Sequence, residues 1–306
     1  MKVFVTGGTG FIGHYVVKAL IARGHEVVVA TRHPNKVPSM KAQPGVTFVE
    51  CALTDFEKMA EGLNGCDACI HVALGWGDTP SAMLMNDTRA TVNLLEASAR
   101  AGCKKFIYTS STAAMGRIRP TMREVTSNLP MDLYGATKAA GEAFVLGFTH
   151  GYGSQFPEVK MTRNIIRPGY TFGNPAWSDG CCQPDRRFFT MAQAVKEGRD
   201  INIIKNDGTQ FIHASHQAEL YMKVLESDKN EEIYLGLSES WMSWKEIAEM
   251  MISLKPGTKT KIVETDLGWS DEPTLFEVTK IKDQFGLVFD ARDFMLDHVK
   301  WTFEHV

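Results

Sequence analysis

The chain predicts an α/β fold: a doubly wound parallel sheet followed by a smaller, mixed C-terminal lobe. Three observations carry that expectation. Apolar strand-like runs alternate with helix-like stretches through residue 167. Those runs are apolar throughout, as strands covered on both faces are. The regularity breaks after Pro168, where a stretch rich in Gly, Pro, Asp and Cys begins.

The first element organises the others. Val3, Phe4 and Val5 form a β-branched and aromatic run that reads as a buried strand. Gly7, Gly10 and Gly13 follow, and a helical pattern then places Ile12, Val16, Val17 and Leu20 on one face. Glycine there permits a tight turn and a close approach of the backbone to a ligand. The free N–H groups and positive dipole end of the new helix suit a diphosphate.

Further strands are expected at Glu26–Thr31, Val46–Cys51, Ala68–Leu74, Lys105–Ser110 and Met161–Arg167, with helices at Asp87–Ala101 and Tyr134–Phe148. Gly102 reads as the stop of the first helix. Beyond residue 174 helices are expected near Phe188–Glu197, Gln217–Leu225, Trp244–Leu254 and Ala291–Phe303, a short strand near Asn202–Ile204, and a strand at Ile233–Leu237 returning to the sheet. The expected division is a dinucleotide-binding domain of residues 1–173 plus 207–238, and a substrate lobe of 174–206 plus 239–306.

At 306 residues with 44% hydrophobic and 23% charged residues, the chain has enough apolar surface for a full core, which excludes a disordered or fibrous protein. A net charge of -3 gives no pull toward nucleic acid or acidic membranes. No leader and no membrane span is read, so a cytoplasmic protein is expected. Cys66 and Cys69 form a CxxC without a second pair, so the six cysteines are expected to be reduced structural thiols and no metal is expected. His213 and His216 read as ordinary polar residues for want of a partner cluster.

Two constellations carry chemistry. Tyr134 and Lys138 stand one helical turn apart and share a face. A free phenol has a pKa of about 10, and an ammonium close by favours the phenolate, making Tyr134 a usable proton donor or acceptor. The strand Phe106–Thr109 runs out into Ser110 and Ser111, hydroxyls that suit a carbonyl oxygen. Alternation along a strand points Ser110 to the opposite side from Ser111.

Taken together, the chain resembles the extended short-chain dehydrogenase/reductase family, which includes the NAD-dependent epimerase/dehydratases. The resemblance rests on TGGTGFIG at 6–13, CDACIHVA at 66–73, NLLEA at 93–97, YGATK at 134–138, IRPGYTFG at 166–173 and IYLGLSESWMSWKEIAEM at 233–250. It implies a Rossmann-type sheet and a nicotinamide cofactor lying across Gly7, Gly10, Phe11, Ile12 and Gly13, with Leu53, Ala73 and Pro168 also in contact. Tyr134 would be the general acid/base, Lys138 would also hold the nicotinamide ribose, and Ser111 would be the catalytic serine, with Thr112 as its backup.

The second strand ends in Thr31-Arg32-His33-Pro34-Asn35-Lys36, where NAD-preferring relatives carry an acid. An arginine pairs with a 2′-phosphate, and Lys36 adds charge, so NADP(H) is expected over NAD(H). Three departures from the family narrow the reaction. Thr112 and Ala113 replace the dehydratases' acidic pair. The usual diphosphate-clamping arginine is missing from Thr209–His216, with Arg186 or Arg187 as possible substitutes. Asp87 stands where an asparagine is usual.

Leu74, Trp76, Met83, Met115, Tyr170 and Trp177 are expected to line an apolar mouth that takes a small carbonyl or alcohol substrate. The alternatives are a nucleotide-sugar epimerase using bound NAD, and a non-catalytic NADP(H) sensor. Family members commonly dimerise through the helices matching Asp87–Ala101 and Tyr134–Phe148, where Ala139, Ala140, Gly141 and Ala143 would allow close approach, so a homodimer is a possible assembly.

Overall fold

The computed structural model describes residues 1–148 and 160–306. Its centre is a seven-stranded parallel sheet. In chain order its first strands are β1 (Lys2–Thr6), β2 (Glu26–Thr31), β3 (Val46–Glu50), β4 (Ala68–His71), β5 (Lys105–Thr109) and β6 (Thr162–Pro168). Spatially the order is Glu232–Gly236, β6, β5, β4, β1, β2, β3. The strand order reverses direction next to β1, and ligands bind such sheets at that point, outside the carboxyl ends of the strands.

Alternation along each strand explains the two-faced core. Val3 and Val5 join Val27, Val29, Ile70, Ile107 and Ile166 on one face. Phe4 joins Val28, Cys69, Phe106 and Ile165 on the other. Helix α1 (Phe11–Ala22) lies on the first face with Val16, Val17 and Leu20 buried. The helix Ala214–Glu226 packs beside it.

A third core holds Phe172, Phe188, Phe211, Trp244, Met251 and Met295 together. It belongs to helices Arg187–Glu197, Trp244–Ser253 and Arg292–Glu304. Ile201–Ile204 pairs in parallel with Ile262–Thr265, a strand the sequence pattern did not reveal. Glu232–Gly236 leaves this region and pairs with β6 at the edge of the large sheet. Among the described residues, no helix is long and apolar enough to cross a membrane.

The expected helix over Asp87–Ala101 is shorter and begins differently. Residues Leu84–Thr88 form a π-helical turn, and the regular helix runs Arg89–Arg100. Gly102 follows at φ +78°, the left-handed stop expected of it. The helix expected over Tyr134–Phe148 is Leu133–Gly147. Its Gly141 does not serve close approach of a second copy: a Cβ there would lie 2.2 Å from the Tyr108 hydroxyl inside the same chain. Ala143 and Phe144 are exposed on this helix.

Candidate active site

A cleft of about 920 Å³ opens along the carboxyl ends of the strands. Its floor at one end is bare backbone. Gly7 sits at φ +68°, and a Cβ there would come 2.5 Å from the Ala73 nitrogen. A Cβ on Gly13 would lie 2.0 Å from the Gly7 carbonyl oxygen. The loop therefore presses against both the next strand and its own helix, which only glycine allows. Phe11, Ile12, Leu53, Ala73 and Pro168 line the same cleft, with Ala30, Ala52 and Thr54.

Polar side chains fix this floor from below. Thr6 Oγ1 accepts the Ala73 amide at 3.3 Å and lies 2.6 Å from His71 Nδ1. His71 Nε2 is 2.9 Å from Thr91 Oγ1. Burial holds His71 down at about 3, so it is neutral and serves as a spacer between strand and helix. At the far end Arg32 is exposed, lining both the cleft and an adjoining recess of about 320 Å³ shared with His33 and Lys36.

The other end of the cleft holds Ser111, Tyr134 and Lys138 together. Ser111 caps a short turn over Thr112–Ala114, its Oγ accepting the Ala113 amide at 3.1 Å. Asp132 caps the helix Leu133–Gly147 by accepting the Gly135 amide at 2.6 Å. Gly135 is bound to be glycine, because a Cβ would meet the Ala113 carbonyl oxygen at 2.3 Å. That contact docks the helix onto the serine turn and places the Ser111 and Tyr134 side chains in the same cleft.

Electrostatics depart from the expected pattern. Burial pushes the Tyr134 phenol up, the Ser111 hydrogen bond works against it, and the charges of Asp87 and Asp132 add to the rise. The expected lowering by Lys138 is thus corrected: the phenol is raised. The Lys138 ammonium, buried and 6.0 Å from the Tyr134 ring centre, faces Asp87 at 3.6 Å instead. Burial lowers the Lys138 pKa and Asp87 raises it in part.

Comparison with known proteins now decides the family. The sequence model of the NAD dependent epimerase/dehydratase family matches residues 3–236. The chain belongs to this family. Over 187 residues it is 35% identical to a 3-beta-hydroxysteroid dehydrogenase of Mycolicibacterium neoaurum, covering 56% of this chain and 48% of that protein. It thus spans about half the length of that relative. Over 329 aligned positions it is 26% identical to GDP-mannose 3,5-epimerase 1 of Oryza sativa subsp. japonica, covering 94% and 80%. Among solved structures, MoeE5 in complex with UDP-glucuronic acid and NAD superposes with a TM-score of 0.79 at 24% identity over 100% of both chains. A UDP-glucuronic acid 4-epimerase from Bacillus cereus in complex with NAD gives 0.78 at 22% identity over 99% of both. At those identities the likeness speaks for the fold.

Within this epimerase/dehydratase frame, the positions expected at the substrate end divide. Leu74, Trp76 and Tyr170 line the cleft. Met115 does not: it is 0% exposed, because at the end of the short turn that Ser111 caps its side chain packs into the core. Met83 is likewise buried. Trp177 lies outside the cleft, edge-on against His14 at 5.5 Å, because its loop folds back over α1. Thr112 is taken up in the short turn after Ser111 and does not line the cleft.

Neither Arg186 nor Arg187 reaches the cleft. Arg187 stacks on Trp244 at 4.1 Å and pairs with Asp185 at 2.9 Å, while Arg186 lies over Phe189 at 4.3 Å. Ser110 points away from Ser111, as alternation requires, and donates to Glu142 at 2.5 Å. Glu142 is buried against Arg167 at 2.7 Å, joining helix to β6. Sequence reasoning missed this pair, along with Asn86, Gln183 and Asp185 in the cleft wall. Gln183 is 4% exposed and hydrogen-bonds His298 at 2.9 Å. No periodic signal marks them: Asn86 stands in the π-helical turn, Gln183 and Asp185 on a loop, and Glu142 and Arg167 bridge distant segments. His213 and His216 are stacked on Phe294 and Phe289. Among the described residues no set of side chains gathers to hold a metal.

Proposed function

We propose that this family member is an NADP-dependent oxidoreductase acting on a small carbonyl or alcohol, with Ser111, Tyr134 and Lys138 as its catalytic residues. One observation carries the reading: Ser111, Tyr134 and Lys138 line the same cleft as a glycine floor that leaves room for a dinucleotide. When bound, a nicotinamide nucleotide supplies or accepts the hydride. Gly7, Gly10, Phe11, Ile12, Gly13, Leu53, Ala73 and Pro168 would hold it, and Arg32 with Lys36 would take the 2′-phosphate. Ser111 donates to the carbonyl oxygen of the substrate. Tyr134 then gives its proton to that oxygen as negative charge builds there; in the reverse direction it takes the proton from the alcohol.

The substrate end supports a ligand without a diphosphate. Trp76, Leu74 and Tyr170 offer apolar surface, Arg187 is held by Asp185 and Trp244, and Arg186 lies over Phe189. A screen of ketones, aldehydes and alcohols followed by NADPH absorbance tests the proposal. Turnover with at least one ketone or aldehyde, abolished in Tyr134→Phe, supports it; tighter binding of NAD than of NADP rejects the cofactor assignment.

A second reading, a nucleotide-sugar epimerase with bound NAD, is favoured by the relative matched over 94% of this chain. Tight binding of a UDP or GDP sugar would select it. We also assign a homodimer to the face carrying Ala143 and Phe144, which size-exclusion chromatography with light scattering tests.

A further inference from the structure

Asp87 is an acid beside the catalytic pair, and the fold treats it unusually. It lies in the π-helical turn Leu84–Thr88, inserted ahead of the helix Arg89–Arg100. Such widened turns recur at functional sites because they re-aim a side chain without ending the helix. The residue is 0% exposed. One carboxylate oxygen accepts the Gly75 amide at 2.9 Å. The backbone at Gly75 is pinned there, since a Cβ would meet the Asn86 carbonyl oxygen at 1.9 Å. The other oxygen has no hydrogen-bond partner and stands 3.6 Å from Lys138 Nζ, an ion-pair distance. A buried carboxylate with a bare oxygen is costly unless it balances a charge beside it.

We propose that the Asp87 carboxylate, wedged between the Gly75 amide and the Lys138 ammonium, is a positioning residue that takes up the ammonium's charge and keeps the Tyr134 hydroxyl protonated in the resting site. The proposal rests on the catalytic reading of Tyr134 and Lys138 given above. Burial raises this phenol first and Asp87 adds to the rise; the lysine one turn away does not offset it because its positive charge is already balanced.

Among the other groups around the trio, Asp132 also raises the phenol, and the rest are neutral or paired. His71 on β4 is held near 3 and is neutral. Tyr108 on β5, with Lys138 5.3 Å from its ring centre, and Tyr221 on the helix Ala214–Glu226 are both pushed up by burial and are neutral too. Glu142, on the helix that carries Tyr134, is paired with Arg167. Asp132 caps that helix in an exposed position. Ser111 is a neutral donor.

Asp87→Asn keeps an oxygen for Gly75 and removes the charge. The readout is phenolate absorbance against pH in the cofactor-free protein, with the same titration in a Tyr134→Phe background subtracted. The Tyr134 titration is expected about one pH unit or more lower than in wild type. The acid limb of alcohol oxidation should move the same way, because the pair releases its first proton more readily. In Lys138→Met, where the carboxylate is left unbalanced, the phenolate titration should move up, and this arm stands even if Asp87→Asn does not fold. A titration unmoved in both variants overturns the proposal and leaves Asp87 as an anchor for Gly75 alone. Full turnover in Tyr134→Phe would sink the catalytic reading separately, because the absorbance titration needs no activity.

Discussion

The two ends of the cleft are built by different means. The cofactor end is backbone: Gly7 and Gly13 lie against Ala73 and the Gly7 carbonyl with no room for a methyl group. The substrate end is side chains on loops, with Trp76 62% exposed and Asp185 drawn toward Arg187. Backbone cannot be exchanged residue by residue, so the first end tolerates little change. Loop side chains can be replaced freely, so specificity is written where the chain is least constrained. Between the ends sits the hydroxyl pair, docked by the Gly135 contact and therefore sharing the rigidity of the first.

That division can be broken or sharpened by experiment. The largest effect is expected from Tyr134→Phe, which removes the proton but keeps the ring. Turnover should fall about 10²–10⁴-fold while cofactor affinity changes by about twofold or less. A matching loss of NADPH affinity, measured by fluorescence titration, would mean that the two ends are not separable.

Acid is the next test, because each end rests on a buried neutral imidazole: His71 under the cofactor floor and His298 behind Gln183. Burial lowers both from 6.5 to about 3. The unfolded chain binds these protons below 6.5 and the folded chain refuses them, so stability present above that value is lost as pH falls toward 3. Urea midpoints should decline steadily between pH 6.5 and 4, and His71→Asn should flatten part of the decline.

Arg32→Ala should weaken NADPH about tenfold and leave NADH almost unmoved, since an exposed guanidinium acts only on the extra phosphate. Equal losses for both nucleotides would deny Arg32 a phosphate-reading role. The smallest effect is expected at Trp76→Ala, a change of a few-fold in KM with kcat little altered, as befits a half-open loop residue. A collapse of kcat there would show that the substrate end also shapes the reaction centre.

Local patterns made the cofactor end of the cleft and the hydroxyl pair legible in the sequence. A strand, three spaced glycines and a helix are contiguous, so their physics is visible within a dozen residues. Tyr134 with Lys138 needs only the helical period, and Ser111 over Ser110 needs only strand alternation. Depth was not legible: Met115 and Trp177 are as apolar as Trp76, and only the path of the chain sends one into the core and one over α1. Long-range pairs were invisible too. Glu142 and Arg167 are joined by tertiary packing alone, and Ile262–Thr265 becomes a strand because Ile201–Ile204 is beside it. The direction of Lys138 was misjudged for the same reason, as Asp87 reaches it only through the π-helical turn.

Transfer of deuterium from NADPH deuterated at both C4 positions to a product carbon tests the catalytic assignment most directly. With a ketone found in the screen, the label should appear at the new alcohol carbon in wild type, and product formation should fall away in Tyr134→Phe. Product that forms at an undiminished rate in Tyr134→Phe, or that carries no label while the cofactor retains it, would contradict the account.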